Sequence, residues 1–358
     1  MAAAPTEDLV LPLADDWHVH LRQGDMSRVV VPLLRQSGVQ RVIVMPNTIP
    51  PVSNTAKALD YYDELSKIDP SIDYKILLYL SPELTPEEIE KAFNCVVTCS
   101  TTGEAKKIVT GVKSYPRGVT TNSDAGVESY EQYYPVFRKM EELGMVLHLH
   151  GEVPNECVML AEAMFLGELQ ILAKEFPRLK IVLEHVSTRD AVETVLSLPA
   201  NVAATVTAHH LDICIDQVVG CCHMFCKPIP KLPHDRNKIR EVVFSGNPKF
   251  FFGSDSAPHP RSKKEAAVAA AGVFTGGLVI QYLADIFSQA QRLHLLPDFV
   301  GRFGAEFFGF PKNEGPKMRL FKQINYVPDT FGDDILGKDH AVVPFRAGEM
   351  LDYRVELL

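Results

Sequence analysis

The sequence has little that would direct it to a membrane, to nucleic acid or to an oxidising compartment. Its opening, Met1-Ala2-Ala3-Ala4-Pro5-Thr6-Glu7-Asp8, lacks both the basic and the apolar parts of a signal peptide, and no uninterrupted apolar run is long enough to span a bilayer. Cationic charge is short: 36 Lys and Arg stand against 45 Asp and Glu, a net charge of −9, so the overall field repels nucleic acid and anionic lipid. An anionic substrate therefore needs a local basic cluster. The 7 cysteines (Cys95, Cys99, Cys157, Cys214, Cys221, Cys222, Cys226) are too few and odd in number for a disulfide scaffold of 358 residues. Reduced thiols in a soluble, cytoplasmic protein are expected. The spacing of Cys222 and Cys226 has no matching Cys-x-x-Cys or His pair beside it in the sequence, so buried or incidental thiols are expected there too. Low-complexity segments, linkers and internal repeats beyond a β-α unit are also missing, which leaves residues 1–358 as one domain.

What is present is alternation. Short β-branched or aromatic runs take turns with longer amphipathic stretches, the pattern of repeated β-α units. Strands are predicted over residues 16–21, 41–45, 74–80, 108–113, 145–150, 181–185, 202–207 and 250–253. Ser53-Asn54-Thr55 is placed to cap a helix running to Lys67, Thr85-Pro86-Glu87-Glu88 to open another with proline in its first turn, and a helix over 129–143 should stop at Gly144. Eight such units without a break in composition favour an α/β fold of the (β/α)8 TIM-barrel type over a doubly wound sheet. Helices over 263–274, 278–293 and 298–307 should then cover the outside, and a Pro- and Gly-rich tail, 313–358, should wrap the surface.

The stretch Trp17-His18-Val19-His20-Leu21-Arg22 carries the first chemical signal, because side chains alternate along a strand and His18 and His20 share a face. Alone, His-x-His reads as a pair of surface histidines. In a barrel, however, chemistry collects at the C-terminal ends of the strands. His18, His20, Lys113, His150, His185 and Asp255 all fall there. Singly each has a plainer explanation, such as a core histidine, a snorkelling lysine or a helix cap. Together they form a set of neutral nitrogen and hard oxygen donors suited to Zn²⁺. Five ligands are too many for one catalytic zinc and too few for two. A bridging anion would make up the shortage; cationic lysine cannot serve, but a lysine that has captured carbon dioxide as a carbamate can.

The chain resembles the amidohydrolase superfamily and, within it, the single-domain, homodimeric dihydroorotase family. The resemblance covers essentially the whole length. It rests on Trp17-His18-Val19-His20-Leu21-Arg22, Met45-Pro46-Asn47, Gly111-Val112-Lys113-Ser114-Tyr115-Pro116, Thr120-Thr121-Asn122, His150-Gly151-Glu152, Leu183-Glu184-His185, Cys226-Lys227-Pro228-Ile229 and Gly253-Ser254-Asp255-Ser256-Ala257-Pro258-His259. It implies that His18, His20 and Asp255 hold one zinc, that His150 and His185 hold the other, and that carboxylated Lys113 bridges them. Asp255 is the implied proton carrier. Arg22, Asn47 and His259 are implied to bind a substrate carboxylate, Thr120 and Thr121 to sit on a closing loop, and Lys227 and Ala271 to touch the substrate ring through backbone groups. Lys227 departs from the apolar residue expected in bacterial relatives, a change that a backbone contact tolerates. The implied reaction is the reversible cyclisation of N-carbamoyl-L-aspartate to L-dihydroorotate. His209 and His210 follow the seventh strand but match no ligand of the family, which points to supporting roles, as for His148. A hydantoinase or dihydropyrimidinase is the enzymatic alternative; its substrates lack the ring carboxylate that Arg22 and Asn47 would serve. A catalytically silent barrel acting as a structural partner would have lost metal ligands, and none is lost.

Overall fold

The computed structural model describes residues 8–98 and 103–358; Cys99 and the first seven residues, on which part of the reading above rests, lie outside them. Eight parallel strands run in chain order around a barrel: β1 Ala14–Val19, β2 Val39–Val44, β3 Asp73–Tyr79, β4 Val109–Ser114, β5 Val146–Leu149, β6 Lys180–Leu183, β7 Val202–Val206 and β8 Phe250–Phe252. Each lies within a few residues of its expected position. Both faces are buried, as a parallel sheet between a packed interior and a helical coat requires.

No full ladder joins β8 to β1. The seam is closed instead by Asp255 N donating to His18 O at 2.8 Å, His20 N to Ser256 O at 3.1 Å, and Ser254 N to the Asp16 carboxylate at 2.8 Å. Gly253 permits this approach, since a Cβ there would stand 3.0 Å from that of His18 and 2.9 Å from that of Thr205.

Aromatic rings fill the lower barrel. Trp17 packs with Leu77, Val182 and Phe251 and stacks on Phe308, centroids 4.6 Å apart. A register irregularity between Asp16 and Val19 lets the consecutive residues Trp17 and His18 both turn inward, which strict alternation did not anticipate. Gly304 is obligatory beneath, because a Cβ would fall 1.9 Å from the indole nitrogen.

Outside, Asn54 caps helix Thr55–Ile68 and Thr85 caps Pro86–Asn94. The helix expected over 129–143 begins as a 3-10 turn and becomes α-helical over Tyr134–Leu143, ending at left-handed Gly144. Two expectations need correction. The stretch 263–274 is helical only over Arg261–Lys264; the buried Lys264 amine donates to the carbonyls of Phe225, Ala270 and Gly272, and these bonds hold the following chain as a loop over the barrel mouth. The tail does more than wrap. Lys317–Tyr326 pairs antiparallel with both Leu9–Pro12 and Met350–Leu357 in a three-stranded sheet, with Met318, Leu320 and Leu351 buried. No helix among the described residues is long and apolar enough to cross a membrane.

Candidate active site

The barrel brings the six expected ligands to one end. Nitrogens of His18 and His20 and an oxygen of Asp255 lie within 4.8 Å of one another, and all three residues are buried. The imidazoles continue as a row: ring centroids are 5.4 Å apart for His20 and His18, 5.0 Å for His18 and His185, and 4.8 Å for His185 and His150. Lys113 sits among them with no exposed surface, and its Nζ has no hydrogen-bond partner; nor has Nδ1 of His185. Burial pushes the Lys113 amine down to about 8 despite the nearby Glu184 and Asp255 carboxylates. For Asp255 burial alone would raise the pKa, but hydrogen bonding and charge from His18, with His20, hold it well below the usual carboxylate range. Imidazole nitrogens, an ionised carboxylate and an orphaned buried amine fit a divalent metal pair.

The tautomers are set from behind. Glu184 accepts from His18 Nδ1 at 2.7 Å, which leaves Nε2 facing Asp255. His20 Nδ1 donates to Asn47 Oδ1 at 2.9 Å, again freeing Nε2. On the other side His150 Nε2 meets Glu152 at 2.7 Å, so Nδ1 is its inward nitrogen. These are the arrangements that orient metal-binding imidazoles.

Beside the ligands a cavity of about 230 Å³ is lined by His20, Arg22, Asn47, Tyr61 and Asn122 among others. Arg22 Nε donates to Pro258 O at 3.0 Å, and Arg22 Nη2 lies 3.2 Å from His259 Nε2, which is itself 2.9 Å from the Ala271 carbonyl. Burial and Arg22 lower the His259 pKa to about 3. Arg22, His185 and Asp255 all have positive φ (56°, 43° and 42°), a costly conformation for such residues that concentrates at functional sites. A larger cavity of about 830 Å³, lined by Arg117, Tyr130, Glu152 and Phe165 among others, contains none of the six ligands.

Residues 115–126 lie over the mouth. Asn47 Nδ2 donates to Thr121 O, Asn122 Nδ2 to Asn47 O, both at 2.9 Å, and Lys227 Nζ to Val119 O at 2.8 Å. Thr120 and Thr121 are partly exposed. Lys227 thus contributes a side-chain contact to the loop.

No family model matches the chain. A probable dihydroorotase of Schizosaccharomyces pombe is 44% identical over 349 residues, spanning 96% of this chain and 98% of that protein. The chain belongs to the dihydroorotase family. The crystal structure of Saccharomyces cerevisiae dihydroorotase in complex with 5-fluoroorotic acid is similar with a TM-score of 0.91 at 37% identity over 98% of both chains. L-hydantoinase of Arthrobacter aurescens reaches 0.81 over 98% of this chain and 84% of its own, but at 18% identity it shows the shared fold alone.

As a dihydroorotase-family member the chain is a metal-dependent hydrolase for cyclic amides. Sequence reasoning left Glu184 and Glu152 without roles although both stand inside quoted motifs. Glu184 is the hub: it also accepts from His148 Nδ1 at 2.5 Å and Thr205 Oγ1 at 2.6 Å. Its position next to His185 was the available signal. His148, as expected, acts behind the ligands.

Proposed function

We propose that the site cyclises N-carbamoyl-L-aspartate to L-dihydroorotate, reversibly, in de novo pyrimidine (UMP) biosynthesis, with two Zn²⁺ held by His18, His20, Asp255, His150 and His185 and bridged by carboxylated Lys113. The observation that carries the reading is Arg22, set beside His259 and opening into the same cavity as the metal-side residue His20. A planar guanidinium there suits the ring carboxylate of dihydroorotate, which hydantoinase and dihydropyrimidinase substrates lack. A silent barrel is disfavoured because every ligand position is filled.

When bound, the metals supply Lewis acidity, lowering the pKa of water from 15.7 to about 7 and polarising the amide carbonyl. Asp255 takes the proton of the attacking water and delivers it to the ring nitrogen as the C–N bond breaks. Arg22, Asn47 and His259 hold the carboxylate, while backbone groups of Lys227 and Ala271 hold the ring. Opening creates a carboxylic acid that ionises and releases a proton, so low pH favours closure and high pH hydrolysis. Free cysteines among the described residues support a reducing, cytoplasmic setting. The family resemblance supports a homodimer. Continuity of Leu9–Pro12 into β1 supports reading barrel and small sheet as one domain.

The test is substrate choice. Purified protein should turn over dihydroorotate, and Arg22→Met should weaken its binding by about 2–5 kcal/mol while affecting dihydrouracil, which has no carboxylate, far less. Equal losses on both substrates would make Arg22 a structural residue.

The loop supplies a second expectation. Closure with Thr120 and Thr121 donating to substrate excludes water and strengthens the electrostatics inside. Thr120→Ala with Thr121→Ala should keep the fold and the metals but lose most turnover, and dihydroorotate should protect residues 115–126 from proteolysis in the unmutated enzyme. Normal turnover in the double variant, or no protection, would reduce the loop to a connection.

A further inference from the structure

A second buried donor cluster shares no residue with the proposed catalytic ligands. Donor atoms of His209, His210 and Cys226 lie within 4.8 Å of one another, as do those of the His18, His20 and Asp255 group. The sequence offered Cys226 no partner in its own neighbourhood; the fold supplies the adjacent histidines from the short helix Ala208–Asp212 that follows β7. His210 Nε2 lies 3.0 Å from the Pro228 carbonyl, which only accepts, so the proton is on Nε2 and Nδ1 keeps its lone pair near the Thr207 hydroxyl at 2.9 Å. Both ring nitrogens of His210 are thus engaged, and the Pro228 carbonyl also accepts from the Cys226 thiol at 3.3 Å, so one acceptor draws the two side chains together and an ion would have to replace a bond at each. On its own His210 would pass for a satisfied core histidine. His209 would not: it has no exposed surface, and neither ring nitrogen has a hydrogen-bond partner. Burial holds both imidazoles neutral at neutral pH.

We propose that His209, His210 and Cys226 form a separate, sulfur-containing site for Zn²⁺ or a similar borderline divalent cation. Two imidazoles and a thiolate are a zinc-type donor set, and they differ from the all-nitrogen-and-oxygen catalytic set. The burial that raises the Cys226 thiol pKa means that its proton must leave as the sulfur–metal bond forms, so one proton is released per ion and affinity rises with pH. The ion clips the end of β7 to the segment that continues into Lys227, whose amine holds the mouth loop at Val119. Its role is to fix that segment, and it goes beyond the proposed reaction.

Cobalt tests it, because only a thiolate ligand gives Co²⁺ an intense sulfur-to-metal charge-transfer band in the near ultraviolet. The full-length protein loaded with Co²⁺ should take up three equivalents per chain and show the band. Cys226→Ser and His209→Gln should each drop to two equivalents and lose the band, whereas Asp255→Asn should keep it. Two equivalents without a band in the unmutated protein would overturn the site, as would a band that persists in Cys226→Ser, since Cys221 or Cys222 would then be the source. Neither result bears on dihydroorotate turnover, so the catalytic reading stands or falls separately.

Discussion

Lys113→Ala is expected to lose most of its metal and nearly all turnover of dihydroorotate. The side chain is wholly buried, its amine has no hydrogen-bond partner, and an ammonium left in that state costs several kcal/mol. Burial lowers its pKa to about 8, so near neutral pH a sizeable fraction is the free amine that adds to carbon dioxide, and that fraction grows as pH rises. The proposed carbamate would reverse the charge from cation to anion, which the proposed divalent ions would balance. Small carboxylic acids should partly restore metal and activity in the alanine variant by taking the place of the bridge. Metal content per chain, measured with turnover on the same sample and circular dichroism as a folding control, decides it. A fully loaded, active Lys113→Ala protein would sink the carbamate.

Asp255→Asn should fold and retain metal but turn over about 10²–10⁴-fold more slowly, because the proton of the attacking water has lost its acceptor. Asparagine is the informative replacement. At φ 42° it tolerates the left-handed backbone better than alanine does, and its amide oxygen can still face His18 and His20. A change in rate then reports on the proton rather than on the turn. Near-normal turnover in this variant would remove Asp255 from the proton transfer.

Much of the site was readable because parallel barrel strands deliver their last residues to one face, so His18, Lys113, His150, His185 and Asp255 could be placed together from strand ends alone. Other features depended on distant partners. The Ala-rich run after Lys263 has good helix propensity, but three carbonyls gathered by the Lys264 amine outweigh it. Alternation in Lys317–Tyr326 was obscured by neighbouring Pro and Gly, and its partner Leu9–Pro12 lies at the other end of the chain. Trp17 and His18 face the same way only because the register slips between Asp16 and Val19. Glu184 is adjacent to a ligand in sequence, yet nothing local reveals that one carboxylate serves His18, His148 and Thr205 at once.

The seam between β8 and β1 ties the chemistry to the order of synthesis. His20 and Asp255 meet across 235 residues of chain, and Asp255 N also bonds His18 O, so the contacts that shut the barrel also bring three of the proposed ligands together. A growing chain carries its first histidines long before their carboxylate partner exists, and closing so long a loop is entropically costly and slow. With the ligands proposed above, a metal would be captured in full only when the last strand arrives, so metal uptake would report completion of the barrel, and an ion bound across the seam would act as a clasp against its reopening.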